Sequence, residues 1–281
     1  MKVAIVVLNY NSSADCKKCI SFLKNQKGVD IEIIVVDNCS QENERKFVGR
    51  LCDEQGCTFI ANHENRGYSA GNNIGLRYAS EKGYEYALIA NPDMEFPQED
   101  YLQKMVETME NDARIGVCSS DIVDVDGKHQ NPLHFNTYWD DFFGVLNSKK
   151  YNTEKDNKWK ESRVCDIVHG CCLMLRIEFL KKVGFMDENT FLYCEERILS
   201  ELVRRSGYIM YYTSCTTAFH HHIKSEKGNV VRNLRMLLES RKYYYKQYTN
   251  YGMLARTALM LCMRIQFMIT GNLTKLKRKC W

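Results

Sequence analysis

An alternation near the start of the chain constrains its fold more than any other feature. Two short apolar runs, residues 3–8 (VAIVVL) and 31–36 (IEIIVV), are each bounded by polar turn residues, the signature of strands buried on both faces. Between them, residues 13–25 carry Cys16, Cys19, Ile20 and Leu23 at helical spacing, with Ser12 or Ser13 placed to act as N-cap. Strand, helix and strand in that length form a βαβ unit, right-handed by rule, with ligands expected at the carboxyl ends of the strands.

The pattern repeats. Helices are predicted over 42–55, 69–81 and 100–111, and strands over 58–61, 86–90 and 115–119. Such alternation argues an α/β fold with a mostly parallel, doubly wound sheet. From about residue 121 to 163 the pattern loosens. Asn136, Trp139, Phe142, Phe143 and Trp159 mix without a period, which reads as a long excursion over the site. Regular structure resumes over 166–176, followed by helices at 177–183 and 194–205.

Size and charge narrow the classes. A chain of 281 residues holds one large α/β domain and a small appendage. A formal net charge of +4 permits an anionic ligand and gives no argument for nucleic acid. The thirteen cysteines are scattered, many in apolar runs (Cys118, Cys165, Cys262), where a reduced thiol behaves as a small hydrophobe. Cys16 and Cys19 form a CxxC with no second CxxC to complete a zinc set. A reducing, cytoplasmic setting is expected. The run 3–8 ends at Asn9-Tyr10-Asn11 and meets neither signal-peptide nor membrane-span criteria.

The chemistry gathers at the strand ends. Asn9-Tyr10-Asn11 follows the first strand, Asp37-Asn38 the second, and Asn91-Pro92-Asp93 the strand at 86–90. In a parallel sheet these ends share one rim. An aspartate there can accept hydrogen bonds from a base imide or a ribose hydroxyl, and a tyrosine can stack on a base. The chain has no GxGxxG and no GxxxxGK[ST], so neither a dinucleotide fingerprint nor a P-loop is supported. Asn91-Pro92-Asp93 offers hard oxygen ligands in a rigid turn, suited to Mg2+ or Mn2+ bridging a diphosphate, although such a turn is also common as plain turn chemistry.

The segments VVLNYN, IIVVDNCS, ENRGYSAGNNIG, ANPDM, VHGCCLMLR, GFMDENTFLYCEE and FHHHIKS, in this order, resemble family 2 glycosyltransferases of the GT-A fold. The likeness is greatest to the rhamnosyltransferase-like branch that builds capsular and exopolysaccharides. It covers roughly the first 225 residues, and the ordered set is far more specific than any single segment. The resemblance implies a hexosyltransferase that uses a UDP- or dTDP-sugar donor, a glycan or lipid-linked acceptor, and Mg2+ or Mn2+. It also implies site roles. Asn9, Tyr10 and Asp37 would line the nucleoside pocket, with Asn38 and Ser40 beside it. Asn65, Gly67, Asn72 and Asn73 would lie near ribose and diphosphate, and Gly170 of the VHG segment would also contact the sugar nucleotide. Asp93 would bind the metal, with Asn91 as the variant first position of that motif, and His220 would close the metal site; His221 and His222 are expected to be solvent or supporting groups.

Inverting transfer requires a carboxylate to deprotonate the acceptor hydroxyl and a cation to neutralise the leaving diphosphate. The family's Y-x-E-D segment reads Tyr193-Cys194-Glu195-Glu196 here, making Glu196 the first choice of base and Glu195 the second. Two departures stand out: glutamate replaces aspartate at 196, and the further acid usually found two residues later is Ile198. Both glutamates would also suit a helix N-terminus on electrostatic grounds alone. The alternatives are a non-catalytic sugar-nucleotide-binding or scaffold subunit, suggested by Ile198, and a nucleotidyltransferase. The latter is disfavoured because Asn-Tyr-Asn-Ser-Ser after the first strand lacks a glycine-rich basic loop.

The expected organisation is a catalytic domain over 1–228, comprising a nucleotide half (1–119) and an acceptor and catalytic half (120–228), then a helical tail over 229–281. The tail is rich in Arg, Lys and Tyr over 230–251, apolar over 253–269 but interrupted by Arg256 and Arg264, and basic at 275–279. Two internal arginines make a span costly. An amphipathic helix on an anionic membrane surface is favoured over a helix pair packed on its own domain or on a second subunit in a homo-oligomer.

Overall fold

A computed structural model describes residues 2–147, 157–221 and 230–277. Its first half is β1 (Lys2–Asn9), α1 (Ser13–Lys24), β2 (Asp30–Asn38), α2 (Glu42–Gln55), β3 (Thr58–Asn62), α3 (Tyr68–Glu81) and β4 (Tyr86–Ala90). β1 pairs in parallel with both β2 and β4, and β2 with β3, so all four carboxyl ends lie along one edge.

The period of two along β1 sorts its side chains between two cores. Val3, Ile5 and Val7 join Cys16, Cys19 and Leu23 of α1 on one face. Ala4 and Val6 join Leu76 and Ala79 of α3 on the other. A β-carbon on Gly75 would sit 2.5 Å from Val6 Cγ1, so the small residue lets α3 lie close against the sheet. Cys16 and Cys19 are fully buried, and burial raises both thiols well above the ordinary value; their pairing in a CxxC reflects packing. Ser12 stands at the N-cap but makes no side-chain cap. Its hydroxyl donates to Asn9 Oδ1 at 3.1 Å, and Glu44 Oε2 of α2 instead accepts from the Ser13 amide at 3.1 Å.

The second half is β5 (Met94–Glu95), α4 (Tyr101–Asn111), β6 (Ile115–Asp124), α5 (Tyr138–Asn147), a 3-10 turn, β7 (Arg163–Cys165), β8 (Cys172–Arg176), α6 (Ile177–Val183), α7 (Glu195–Ser206), β9 (Ile209–His220), α8 (Val230–Gln247) and α9 (Met253–Lys277). The strands complete one sheet in the order β3-β2-β1-β4-β8-β6-β9-β5, with β7 on β9. β8 enters antiparallel between β4 and β6. The strand read at 115–119 is therefore separated from β4 and is longer than its apolar run. β9 was not legible: its Thr- and Ser-rich stretch alternates only loosely between buried and partly exposed. Within the excursion, α5 and β7 are ordered elements, and 148–156 lie outside the described residues.

α8 and α9 pack on α5 and on the start of α7. Tyr244 and Tyr245 of α8 and Leu259 and Met263 of α9 form a third core with Cys194 and Ile198 at the start of α7. Ser240 Oγ donates to the Leu192 carbonyl at 2.7 Å, and Tyr243 Oη to Asp187 Oδ2 at 2.7 Å. The outer face of α9 leaves Leu254, Leu261, Ile265 and Met268 exposed. Among the described residues no helix is long and apolar enough to cross a membrane. The basic end at 278–279, His222 and Ser225 lie outside the described residues.

Candidate active site

A cleft of about 670 Å3 opens at the carboxyl edge of β1, β2 and β4. It is lined by Tyr10, Asn38, Asn65, Gly67, Asn91 and Asp93, and on its far side by Arg232, Asn233 and Met236 of α8. Tyr10, 52 % exposed, stands with its ring available for stacking. Sequence reasoning missed the α8 residues, because a helix read as a tail gives no sign that it will fold back over the cleft.

Beneath the cleft lies a closed polar network. Asn9 Nδ2 donates to Asp37 Oδ1 at 2.9 Å and to Ser40 Oγ at 3.2 Å, and the Ser40 amide donates to Asp37 Oδ2 at 3.1 Å. All three residues are buried, and none of them lines the cleft as found. Their bonds join the ends of β1 and β2 and so hold Tyr10 and Asn38 in position.

Asn38 continues the network toward the next loop. Its Nδ2 donates to Asn65 Oδ1 at 3.1 Å and to the Gly67 carbonyl at 3.3 Å, while Asn62 Nδ2 donates to Asn38 Oδ1 at 2.8 Å. Gly67 has φ +104°, and a β-carbon there would lie 2.2 Å from the Phe191 carbonyl oxygen. Asn72 and Asn73 are both buried in α3. Asn72 Nδ2 donates to the Tyr68 carbonyl at 3.0 Å. Asn73 clasps Met186, donating to its carbonyl at 2.8 Å and accepting from its amide at 3.1 Å. Asn73 thus ties α3 to the 186–188 loop, away from the cleft.

Asp93 and His220, far apart in sequence, meet because β5 pairs antiparallel with β9, Met94 opposite His220. His220 Nε2 lies 3.4 Å from Asp93 Oδ2, and its Nδ1 lies 3.0 Å from Gln130 Oε1. With an amide oxygen as partner, Nδ1 carries the proton and Nε2 offers a lone pair. A lone pair facing a carboxylate at that distance requires a proton or a metal ion between them, so the pair fits a cation. His221 directs its ring to Glu95 Oε2 at 3.2 Å and its amide to the Asp93 carbonyl at 2.9 Å, a supporting role. The Asn91 amide donates to the Cys171 carbonyl at 2.8 Å, which joins the Asn-Pro-Asp turn to the VHG segment.

Glu195 and Glu196 open α7 after two left-handed residues, Tyr193 (φ 74°) and Cys194 (φ 67°), a backbone that non-glycine residues adopt only at a cost. Glu196 Oε1 accepts from the Gly170 amide at 3.3 Å, and Tyr68 Oη donates to the Gly170 carbonyl at 2.7 Å. Gly170 therefore links α3, α7 and the VHG segment. Burial, reinforced by the charge of Glu196, pushes Glu195 up to about 8. Its Oε2 is buried without a hydrogen-bond partner among the described residues. Ile198, where the resemblance places a further acid, is 2 % exposed and packs in the core shared with α8 and α9.

The sheet, with an open cleft at the carboxyl edge of its parallel strands and an acid-bearing helix beside it, defines an α/β protein of the doubly wound kind. The sequence model of Glycosyl transferase family 2 matches residues 4–184, and the chain belongs to that family. It is 29 % identical over 199 residues to the low-salt glycan biosynthesis hexosyltransferase Agl10 of Haloferax volcanii, an alignment covering 69 % of this chain and 59 % of that protein. It is 32 % identical over 127 residues to the succinoglycan biosynthesis protein ExoO of Rhizobium meliloti, covering 45 % and 35 %. The dTDP-rhamnosyl transferase RfbF of Shigella flexneri is 25 % identical over 187 residues, covering 66 % and 58 %. The chain thus spans between about a third and three fifths of the length of these relatives. The mannosyltransferase PcManGT of Pyrobaculum calidifontis, solved with GDP-Man and Mn2+, superposes with a TM-score of 0.60 at 17 % identity, over 92 % of this chain and 68 % of that one. That likeness identifies the fold as GT-A.

Proposed function

We propose that the protein is an inverting, metal-dependent glycosyltransferase. It moves rhamnose or another hexose from a UDP- or dTDP-sugar to a hydroxyl of a glycan or lipid-linked glycan during surface-polysaccharide synthesis. The observation that carries this reading is that Asp93, which lines the same cleft as Tyr10, meets His220 at 3.4 Å. The printed names of the relatives, a hexosyltransferase and a dTDP-rhamnosyl transferase, support the reaction class. The neighbour solved with GDP-Man and Mn2+ supports a nucleotide-sugar donor and a divalent cation.

In this reading Tyr10 stacks on the base while Asn38 and Asn65 shape the ribose side of the cleft. Asp93 and His220 would hold Mg2+ or Mn2+, which supplies charge neutralisation for the leaving diphosphate. The acceptor oxygen attacks the anomeric carbon, the bond from that carbon to the diphosphate oxygen breaks, and the nucleoside diphosphate departs. Glu196, oriented by the Gly170 amide, takes the hydroxyl proton. Burial and the charge of Glu196 raise the Glu195 carboxyl, which suits Glu195 less well to take a proton at the start of the reaction. The exposed apolar face of α9 fits peripheral contact with the inner face of the cell membrane, where a lipid-linked acceptor would lie.

Calorimetric titration with UDP, dTDP and GDP, with and without Mn2+, tests this. Metal-dependent binding of one nucleotide, abolished in Asp93→Ala, is expected. A folded protein that binds none of the three refutes the reading.

A further inference from the structure

A second cavity, of about 500 Å3, lies farther along α8 than the cleft under β1, β2 and β4. Phe191 and Met236 line both spaces, so the two adjoin at these side chains. One wall of the second cavity is residues 189–191; the other includes Arg235, Glu239, Lys242 and Lys246 of α8. These four positions follow one another at intervals of four, three and four residues, which sets them in one stripe along the helix, and all four are exposed. Three positive charges thus share the cavity with one negative charge. Among the described residues none of the three cations is engaged in an ion pair.

Both walls are fixed to the fold. The Tyr68 amide donates to the Phe191 carbonyl at 2.9 Å, and Ser240 Oγ donates to the Leu192 carbonyl at 2.7 Å. The loop is therefore tied to α3 on one side and to α8 on the other. Phe191 is 40 % exposed at the junction, and its loop runs directly into Glu195 and Glu196 at the start of α7. An exposed ring held there by its own backbone suits the apolar C–H face of a sugar.

The chemistry along α8 is ordered. Beyond the apolar junction stand Lys242 and Lys246, one turn apart with β-carbons separated by about 5–6 Å. Met236 to Lys242 spans about 9 Å along the axis, the reach of a hexose with a diphosphate on its anomeric carbon. Lysine serves phosphate as a point charge, whereas a carboxylate is matched best by the arginine fork, so the lysine pair favours phosphate over an acidic sugar. The next helix opens with Met253 and Leu254, 73 % and 83 % exposed, which would suit an alkyl chain carried by that diphosphate.

We propose that the second cavity is a separate acceptor subsite, selective for an acceptor that carries a diphosphate, with its sugar against Phe191 and its phosphates at Lys242 and Lys246. Arg235, between the two, adds positive charge near the junction. This rests on the reading of the first cleft as a sugar-nucleotide site and names the class of acceptor delivered to it.

The test is calorimetric titration of the full chain with inorganic pyrophosphate in metal-free buffer, where no cation can hold the probe at Asp93. Lys242→Gln/Lys246→Gln is expected to lose about tenfold or more in affinity, and Lys242→Arg/Lys246→Arg to keep it. Thermal melting and UDP binding with Mn2+ serve as controls. Phe191→Ala is expected to keep pyrophosphate affinity and to bind glucose 1-phosphate severalfold more weakly; equal affinity for the sugar phosphate overturns the role of Phe191. Unchanged pyrophosphate affinity in the glutamine variant, or wild type that binds UDP with Mn2+ but no pyrophosphate, overturns the subsite and leaves the transferase reading standing. Tighter lysine-dependent binding of trigalacturonate than of pyrophosphate overturns the choice of phosphate in favour of an acidic glycan. A glutamine variant that loses binding only to vesicles containing phosphatidylglycerol makes the stripe a membrane contact instead. Protein that binds neither UDP nor dTDP in the presence of Mn2+ overturns the underlying reading, whatever pyrophosphate does.

Discussion

Gln130 Oε1 stands 3.0 Å from Nδ1 of His220, on the side of the ring opposite Asp93. The amide holds the proton on Nδ1 and so turns the Nε2 lone pair toward the carboxylate. Outer partners of this kind typically account for 10- to 100-fold in metal affinity. Gln130→Leu is therefore expected to weaken Mn2+ binding about tenfold, while Gln130→Glu, which keeps an acceptor in place, retains it. Calorimetry with Mn2+ checks this, with thermal melting as the control for folding; equal affinity in Gln130→Leu sinks the assignment.

A second expectation concerns pH. Glu195 is raised from the ordinary 4.5 to about 8 by burial and by the charge of Glu196. The folded protein then binds more protons than the unfolded chain between those values, so stability falls as pH rises through that window. Glu195→Gln, the neutral isostere, is expected to flatten that fall and to melt higher than wild type at pH 8. Denaturant midpoints across pH 5 to 8 measure it, and parallel slopes in the two proteins would refute the elevated Glu195.

The first half of the fold was legible because β1 to β4 are apolar runs separated by periodic helices, so local pattern and tertiary role agree. The carboxyl edge followed from the parallel order, and with it Tyr10, Asn91 and Asp93. Other parts depended on long-range pairing that no local period reports. β9 is a polar, irregular strand, yet its pairing with β5 delivers His220 to Asp93. Gln130 sits in a stretch without pattern, and its role appears only once His220 stands beside it. The family resemblance places Asn9 and Asp37 at the nucleoside and Asn73 near ribose and diphosphate. Here they are buried and bonded to the protein itself.

Arg197 of α7 and Asp141 of α5 form a buried, two-pronged ion pair, with bonds of 2.9 and 3.1 Å and side chains 16 % and 2 % exposed. Asn136 Nδ2 adds a bond to the same carboxylate at 3.0 Å. Burial alone would lower the guanidinium, and the charge of Asp141 more than reverses that. Breaking such a pair strands a buried charge and typically costs about 3–5 kcal/mol. Asp141→Ala should lose stability of that order in urea unfolding, and a loss below about 1 kcal/mol would place the pair with weakly contributing surface contacts.

At Gly67, backbone and space both demand glycine. Its φ is +104°, and a β-carbon would lie 2.2 Å from the Phe191 carbonyl oxygen and 2.6 Å from the Phe191 Cα. Gly67→Ala carries a backbone penalty of about 1–3 kcal/mol and must also push the 191 loop away from α3. The expected result is lower stability together with weaker nucleotide binding, since Asn38 and Asn65 are both bonded to the Gly67 backbone. Melting and UDP titration read the two effects, and an alanine variant with wild-type values in both would exclude the close approach.

Ile198 shows how one substitution within a motif can follow from packing elsewhere. Its side chain is buried in one core with Tyr244, Tyr245, Leu259 and Met263, so an acid there would enter the apolar core shared with α8 and α9. Ile198→Asp therefore does not enlarge the acidic cluster. It places an unpaired charge in an apolar core, which costs several kcal/mol or drives protonation. Ile198→Val, which removes one methylene, is expected to cost about 0.5–1.5 kcal/mol. Limited proteolysis separates the cases: the valine variant should resist cleavage like wild type, and the aspartate variant should be cut between α7 and α9. Because Arg232 and Met236 of α8 line the cleft, that release should also weaken nucleotide binding. An intact aspartate variant with raised transfer activity would instead make position 198 part of the catalytic cluster.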